Sequence, residues 1–382
     1  MGALPETPGV PEPGLPRVAV VVLCRNEERQ IGRCLDSLLA NQYDHRLLDI
    51  IVVDGMSEDG TRRIVAEYCR KHPCVRIVDN PMKIIPAGLN VGVRAADAEI
   101  VMRIDAHAIY PPDYISGLVR GLDQHGADNI GGLLEIDQGS TAWQQAVSVL
   151  WSHPFAAGNA MHRTAGPGSP PRPAGTVFPG CFRRSVFEKV GPFNEQLVRA
   201  EDREFNQRLR AAGGKIILDP SIHCTYFPRT DLRTYVRYSA INGFWVFYAQ
   251  RFTDVRMVSL RNVVPPLFFL WHLLAAACAW LWPALLPLAL APIAAYWVMS
   301  LAVSAWVARA RRSWLLLPYL FLLFPATHYP YGAGSLWGWL AATLRRKCIA
   351  PQHRPEPGGA SVERRATNDE GMSNVECRMS KE

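Results

Sequence analysis

Several familiar signatures are missing from this chain of 382 residues. Its nine cysteines include no CxxC pair and no cysteine/histidine cluster, which argues against a zinc site and against a disulfide framework. There is also no GxGxxG segment and no GxxxxGKS/T segment, so neither the dinucleotide-binding fingerprint nor a P-loop is present. We therefore expect reduced thiols in a cytosolic domain, and any phosphate site needs another source of positive charge.

Residues 1–16 lack the positive start and the apolar centre of a signal peptide. They contain five prolines and two acidic residues, a composition typical of a disordered leader. We predict such a leader at 1–16, and we expect the domain that follows to remain in the cytosol.

Formal charge is missing from two apolar stretches, at 263–282 and 288–308. Each is about 20 residues long, which is enough to cross the hydrocarbon core of a bilayer. Basic residues before the first stretch and after the second predict that both ends lie in the cytoplasm. The next apolar stretch, at 314–324, is too short to span and is interrupted at 326–332. We predict a re-entrant hairpin there, with one further span as the alternative.

Acidic residues are fewer than basic ones, and the formal net charge is therefore +7 at pH 7. The arginines concentrate at 229–261, 309–312 and 345–347, which flank the apolar stretches. This placement favours an anionic membrane surface as the partner and argues against a nucleic acid.

Strand and helix patterns alternate through the first hundred residues. Buried-strand runs at 17–23, 48–53, 75–78 and 100–104 are separated by segments with helical spacing. This alternation predicts an α/β fold, with a mostly parallel, doubly wound sheet and helices on both faces. A further strand is predicted at 131–136.

Polar residues follow three of these strands at the point where each ends. Asn26 and Glu27 follow the first, Asp54 follows the second, and Asp105 and His107 end the fourth. Because carboxyl ends of parallel strands meet at one edge, we predict a nucleotide pocket there. A divalent metal at Asp105 would supply the missing counter-charge for phosphates. The alternative is that Asp105 caps the next turn and His107 faces water.

Three segments carry a family resemblance: AVVVLCRNEERQIGRCLDSLLANQ, IIVVDGMSEDGTRRIV and NVGVRAADAEIVMRIDAHAIYPPDYI. They resemble the inverting family 2 glycosyltransferases of the GT-A fold, and within them the bacterial exopolysaccharide (succinoglycan-type) enzymes. The resemblance covers residue 18 to about residue 250. It implies that Asp54 holds the uracil of a nucleotide-sugar donor. It also implies that Asp105 to His107 replaces the family's DXD metal motif, with an imidazole that suits Mn²⁺ better than Mg²⁺.

Two adjacent acids, Glu201 and Asp202, begin a predicted helix. The helix dipole stabilises acids at this position, and that is the simplest interpretation. The resemblance adds a catalytic one: Asp202 matches the second acid of the family's ED motif, which implies a general base, and Glu201 would orient the base or the acceptor. The QxxRW motif of processive members is missing, which favours the addition of a single sugar.

Two other segments have alternative interpretations. Residues 163–176 are rich in proline and glycine, and we favour a connector over a lid on the diphosphate. Residues 231–262 combine aromatic and basic residues, which predicts an amphipathic helix at the membrane surface or a core helix that closes the domain.

We therefore expect a disordered leader (1–16), a GT-A domain (17–230), an interfacial region (231–262), transmembrane or re-entrant segments (263–344) and a disordered tail (345–382). The predicted function is that of a multi-pass inner-membrane glycosyltransferase with a cytoplasmic catalytic domain and a divalent metal, Mn²⁺ or Mg²⁺. The predicted donor is a nucleotide sugar, of UDP type, and the predicted acceptor is a polyprenyl-linked saccharide. The alternatives are a catalytically inactive scaffold in a polysaccharide assembly complex and a nucleotidyltransferase.

Overall fold

A computed structural model of the chain describes residues 14–344, apart from 159, 167 and 229. Most of the predicted leader and all of the predicted tail, with its basic residues at 345–347, lie outside the described residues. The strands in chain order are β1 (Val18–Cys24), β2 (Leu48–Asp54), β3 (Val75–Asp79), β4 (Ile100–Asp105), β5 (Ala108–Ile109), β6 (Asn129–Ile136), β7 (Arg172–Pro173), β8 (Cys181–Arg183) and β9 (Ile216–Tyr226). The helices are α1 (Ile31–Leu39), α2 (Thr61–Lys71), α3 (Ile85–Ala95), α4 (Tyr114–Gln124), α5 (Ala142–Ser152), α6 (Pro154–Ala157), α7 (Met161–Thr164), α8 (Ser185–Val190), α9 (Glu201–Ala211), α10 (Leu232–Tyr248), α11 (Leu260–Leu281), α12 (Leu286–Ala310) and α13 (Leu316–Leu344).

The strands form one mixed sheet in the order β3-β2-β1-β4-β8-β6-β9-β5, and β7 pairs with β9. The first four strands of the chain are parallel, as predicted, and β1 lies between β2 and β4. Beyond β4 the sheet is mixed, because β8 runs antiparallel to both β4 and β6. The carboxyl ends of β1, β2 and β4 therefore share one edge, which is the geometry that the polar strand ends require.

The parallel half of the sheet is buried on both faces. Val18, Val20 and Val22 of β1 pack on one side with α1, and the alternate residues Ala19 and Val21 pack on the other side with α3. Such two-sided burial explains why the strands are continuous apolar runs, with no alternation of polar residues.

The C-terminal helices pack against the α/β domain through α13. The first turns of α13 join a buried cluster with α5, and its second half lies along α10. Glycines make this contact close: a side chain at Gly334 would overlap the carbonyl oxygen of Ala240, and one at Gly338 would overlap that of Phe244. The core-helix interpretation of α10 thus matches its packing, and contact of α10 with a membrane stays a prediction.

The predicted interruption at 326–332 is wrong, because α13 is one continuous helix through both Pro325 and Pro330. The hairpin needs a reversal of the chain, and α13 contains none. Local breakers are tolerated in a helix when neighbouring helices support it, and α10, α11 and α12 all contact α13. Packing overrides the local signal here.

Two helices, Leu260–Leu281 and the helical stretch Pro283–Ala310, are long and apolar enough to cross a membrane. In the most apolar 18-residue segment of each helix, only 11% and 17% of the residues, respectively, are buried. Large apolar side chains on both helices are exposed, among them Trp280 at 84% and Leu288 at 71%. A core helix of a soluble protein buries such side chains, whereas these two helices leave many of them exposed.

Candidate active site

A cavity of about 2020 Å³ lies between the carboxyl edge of the sheet and the C-terminal helices. One end is lined by the predicted site residues at the strand ends, and the other end reaches α10 to α13. All of the predicted site residues except Asp54 line it: Asn26, Glu27, Asp105, His107, Glu201 and Asp202. The structure therefore brings together residues from three separate parts of the chain.

Arg103 links the strand end to the helix start across this cavity. Its side chain on β4 is 8% exposed, and its Nη1 lies 3.0 Å from Oε1 of Glu201. Its Nε lies 3.8 Å from Oδ1 of Asp105, and the guanidinium stacks on Phe178 at 4.6 Å from the ring centre. One buried cation thus pairs with two predicted site carboxylates, and one of them, Glu201, is 98 residues away from Arg103 in sequence.

The two acids at the start of α9 have different surroundings. Burial, together with the charge of Asp202, raises the pKa of Glu201 above its ordinary value, although Arg103 opposes the shift. Asp202 is half-buried and lines the cavity, and within the part of the chain that the structure describes its carboxylate has no hydrogen-bond or ion-pair partner. Glu201 is therefore fixed in place, whereas Asp202 is available to a ligand.

His107 is held between two polar side chains. Its Nε2 lies 3.0 Å from the hydroxyl of Tyr226, and its Nδ1 lies 3.5 Å from Oε1 of Glu27. The ring also meets Tyr226 edge-on, at 5.0 Å between centroids. The alternative of a histidine that simply faces water is therefore wrong. A metal-binding role for His107 requires a change in one of these two contacts.

Asp105 has the environment of a ligand for a hard cation. Its carboxylate is 14% exposed and accepts no hydrogen bond from the described residues, and Arg103 is its one ion-pair partner there. No group of three or more histidine, cysteine or acidic residues in the described ranges is arranged to hold a metal. The site fits an ion that takes one or two protein ligands and completes its shell with phosphate oxygens and water.

Asp54 does not line the cavity. Its side chain is completely buried, and its oxygens accept hydrogen bonds from the backbone and hydroxyl of Ser57, at 3.0 and 2.5 Å. Arg62 lies 2.6 Å from the same carboxylate and also binds Asp79 at 2.7 Å. Direct contact between Asp54 and the uracil of a donor therefore requires Arg62 or Ser57 to move. The role of Asp54 stays a prediction.

Asn26 shapes the loop beside Asp54. Its side-chain oxygen accepts a hydrogen bond from the backbone amide of Glu58 at 2.9 Å. The backbone amide of Asn26 donates to the hydroxyl of Ser57 at 2.8 Å. Both bonds hold the turn after β2 against the turn after β1, so Asn26 organises the wall of the cavity.

Backbone strain is concentrated around the cavity. The non-glycine residues Asn26, Lys83 and Ala200 have φ values of 54°, 60° and 65°, and all three line it. A left-handed conformation of an alanine or lysine costs on the order of 1–3 kcal/mol, and such residues cluster at functional sites. Ala200 immediately precedes Glu201, so its conformation directs the start of α9.

The segment 163–176 forms part of the cavity wall through Arg163, Gly175 and Thr176. The connector interpretation stays a prediction, with a lid over a ligand as its alternative. The sequence interpretation missed Arg103 and Tyr226 as members of the site. Arg103 had a visible signal, since it is the one charge within an apolar strand run, whereas Tyr226 had none.

Comparisons with known proteins found one family model and several glycan-synthesis proteins that are similar to parts of this chain. A sequence model described as "Glycosyl transferase family 2" matches residues 19–191. The chain is 27% identical over 307 residues to the succinoglycan biosynthesis protein ExoA of Rhizobium meliloti (strain 1021), which covers 77% of this chain and 86% of that protein. It is 22% identical over 243 residues to the dolichyl N-acetyl-alpha-D-glucosaminyl phosphate 3-beta-D-2,3-diacetamido-2,3-dideoxy-beta-D-glucuronosyltransferase of Methanococcus voltae, which covers 60% of this chain and 74% of that protein.

One solved structure shares the fold over most of the chain. It is the mannosyltransferase PcManGT from Pyrobaculum calidifontis in complex with GDP-Man and Mn²⁺, with a TM-score of 0.54 and 23% identity. The likeness covers 86% of this chain and 89% of that one, so it extends beyond the α/β domain.

Proposed function

We propose that the chain is an inverting, membrane-anchored family 2 glycosyltransferase that acts on a lipid-linked acceptor. The family 2 model that matches residues 19–191 and the fold shared with a solved mannosyltransferase support this proposal. The donor would be a nucleotide sugar, of UDP type, and the acceptor a polyprenyl-linked saccharide in exopolysaccharide or cell-surface glycan synthesis. The similarity to ExoA and to the dolichyl-phosphate transferase supports a lipid-linked acceptor in glycan synthesis.

In this proposal Asp202 is the general base. It removes the proton from the acceptor hydroxyl as the oxygen attacks the anomeric carbon in line with the leaving diphosphate. Its lack of protein partners among the described residues leaves both oxygens available. Glu201 stays bound to Arg103, 3.0 Å away, and orients the start of α9.

Asp105 is the proposed ligand of a divalent metal, and His107 is the second candidate. A Mn²⁺ or Mg²⁺ ion bound there would neutralise the developing charge on the nucleoside diphosphate. The related mannosyltransferase was solved with GDP-Man and Mn²⁺, which supports a metal-assisted reaction in this fold. Arg103 places Asp105 near Glu201, so the donor and base ends of the cavity are held together.

Membrane association is proposed from the surfaces of α11 and α12. Their apolar side chains are exposed, and one end of the cavity is lined by residues of both helices. An acceptor anchored in a bilayer would thus reach Asp202 with its lipid beside these helices. We propose an inner-membrane location with the catalytic domain in the cytoplasm.

The observation that carries the proposal is the convergence of Asp105, Glu201 and Asp202 on one cavity that continues to α11 and α12. The test is a donor screen on membranes containing the full chain, with transfer of labelled sugar to extracted polyprenyl lipids as the readout. We expect one nucleotide sugar to give metal-dependent labelling of the lipid fraction. Absence of transfer from every donor, with donor binding retained, would favour the inactive scaffold instead.

A further inference from the structure

Three arginines from three different helices line the far end of the cavity. Arg163 belongs to α7, Arg203 to α9 and Arg261 to the first turn of α11. Arg203 follows the proposed base Asp202 directly in sequence. The three arginines therefore belong to elements other than the strand ends that are proposed to bind the donor, and one of them adjoins the proposed base.

The charges of these arginines are not balanced by ion pairs. None of the three forms an ion pair within the described ranges. Burial and the charge of Arg261 lower the pKa of Arg203. Burial and the charges of Arg163 and Arg261 lower the pKa of nearby His162 to about 3. Such a positive field in a partly desolvated cavity favours an anionic ligand.

Contacts with neutral groups hold two of the guanidinium groups in position. Nη2 of Arg203 donates to Oδ1 of Asn262 at 3.3 Å, and Nδ2 of Asn262 donates to the hydroxyl of Tyr331 at 3.0 Å. The guanidinium of Arg163 lies over Trp151, 5.2 Å from the ring centre, and its buried Nε has no hydrogen-bond partner among the described residues. The groups are thus positioned without being neutralised.

The wall next to these arginines is apolar and belongs to the two membrane-span candidates. Pro265 and Phe268 of α11 line the same cavity as Ala295 and Met299 of α12. A ligand that fits this combination has an anionic group next to a long apolar chain. A free nucleotide or a neutral glycolipid would satisfy only one of the two halves.

We propose that Arg163, Arg203 and Arg261 bind the diphosphate of the lipid-linked acceptor, with its isoprenoid chain along the cavity wall formed by α11 and α12. The inference deepens the proposed function and rests on it for the identity of the acceptor. It adds a second anion site, separate from the donor site at Asp105. The saccharide that follows the diphosphate would then extend towards Asp202.

The test measures binding of geranylgeranyl diphosphate to the full chain in nanodiscs of neutral lipid. Geranylgeraniol, inorganic diphosphate and vesicles of anionic phospholipid are the comparison ligands. Each arginine that donates charged hydrogen bonds to the ligand contributes roughly 10- to 100-fold in affinity. We therefore expect Arg261→Ala and Arg163→Ala each to weaken the lipid diphosphate by such a factor and to leave geranylgeraniol unchanged.

Two variants serve as controls. Arg261→Lys keeps the charge and should recover part of the lost affinity. Arg256→Ala removes an exposed arginine that precedes α11 and does not line the cavity, and this variant should bind the ligand as the unmodified protein does. Arg203 is left intact because its removal would also disturb Asn262.

Unchanged affinity in both alanine variants would overturn the inference. Equal binding of inorganic and lipid diphosphate would also overturn it, and so would an equal loss in Arg256→Ala or equal competition by anionic vesicles. Arginine-dependent binding without any sugar transfer would instead refute the proposed function alone. Transfer to a lipid-linked acceptor with unaltered binding in the variants would refute the inference alone.

Discussion

At the scale of single residues, Arg103 has the largest structural role in the site. It is a buried cation that holds Glu201 at 3.0 Å and lies near Asp105, although these residues are distant in sequence. Asp202 and Asp105 retain oxygens without hydrogen-bond donors in the described ranges, and these are the atoms that would contact the proposed substrate and metal. In this site the carboxylate of Glu201 is paired with Arg103, whereas those of Asp202 and Asp105 can accept a ligand.

The sequence was sufficient to predict most of the residues at this edge of the sheet. Polar residues at the ends of β1 and β4 could be identified because strand ends share an edge. The role of Arg103 could not be predicted, since it depends on a contact with a helix that begins 98 residues later. The burial of Asp54 was also hidden, because its partner Arg62 is a surface residue of the next helix.

The first prediction concerns the base. Asp202→Asn should lower turnover by roughly 10²- to 10⁴-fold, the usual contribution of a general base, while donor binding stays close to normal. Initial rates of transfer and a donor-binding isotherm measure the two effects. Glu188→Gln, at an exposed position of α8, is the matched control and should be active. Near-normal turnover in Asp202→Asn would assign the base elsewhere.

The second prediction concerns the metal. Asp105→Ala should abolish metal-dependent binding of the donor, because the diphosphate loses its bridging cation. His107→Asp should remain active and shift the preference from Mn²⁺ towards Mg²⁺, since a hard oxygen replaces an imidazole. Transfer rates measured over a series of Mn²⁺ concentrations and a series of Mg²⁺ concentrations provide the comparison. An unchanged metal profile would mean that His107 positions Glu27 and Tyr226 and does not bind the ion.

At the scale of elements, local sequence patterns and tertiary packing contribute differently in the two halves of the chain. The strands β1 to β4 and their helices follow from apolar runs and helical spacing, because both faces of the sheet are covered. In α13 the local pattern failed: residues 326–332 suggested an interruption, yet the helix continues through Pro325 and Pro330. Contacts with α10, which no local pattern reveals, stabilise it.

The third prediction tests this packing. Gly334→Val should destabilise the contact between α10 and α13, because its side chain would overlap the carbonyl oxygen of Ala240. Overpacking at a tight contact costs about 1–3 kcal/mol or more. Thermal unfolding of the detergent-solubilised protein should show a lower Tm. Leu340→Val, on an exposed position of the same helix, should have little effect, and equal losses in both would rule out the specific contact.

At the scale of the whole molecule, the cavity joins an α/β domain to helices with exposed apolar surfaces. Both halves of α13 contact the domain or α10, so it lies along the domain instead of leaving it. If α11 and α12 cross a bilayer as proposed, we expect both ends of α13 to lie on one side of it without the hairpin predicted from sequence. A soluble donor and a lipid-anchored acceptor would then both reach the cavity.

The fourth prediction concerns topology. Reporters fused after Arg312 and after Lys347, the latter outside the described residues, should both report the cytoplasm. The physical reasons are the basic residues that flank α11 and α12 and the packing of α13 along the domain. A cytoplasmic signal at 312 with an external signal at 347 would show a third span. An external signal at 312 would contradict the two-span arrangement itself.

The fifth prediction addresses the central claim, which is a single in-line displacement assisted by Asp202. The most direct measurement is the anomeric configuration of the transferred sugar, read from the proton coupling constant of the product by NMR. An α-linked nucleotide-sugar donor should give a β-linked product, because one displacement inverts the anomeric carbon. A product that retains the α configuration would contradict the account.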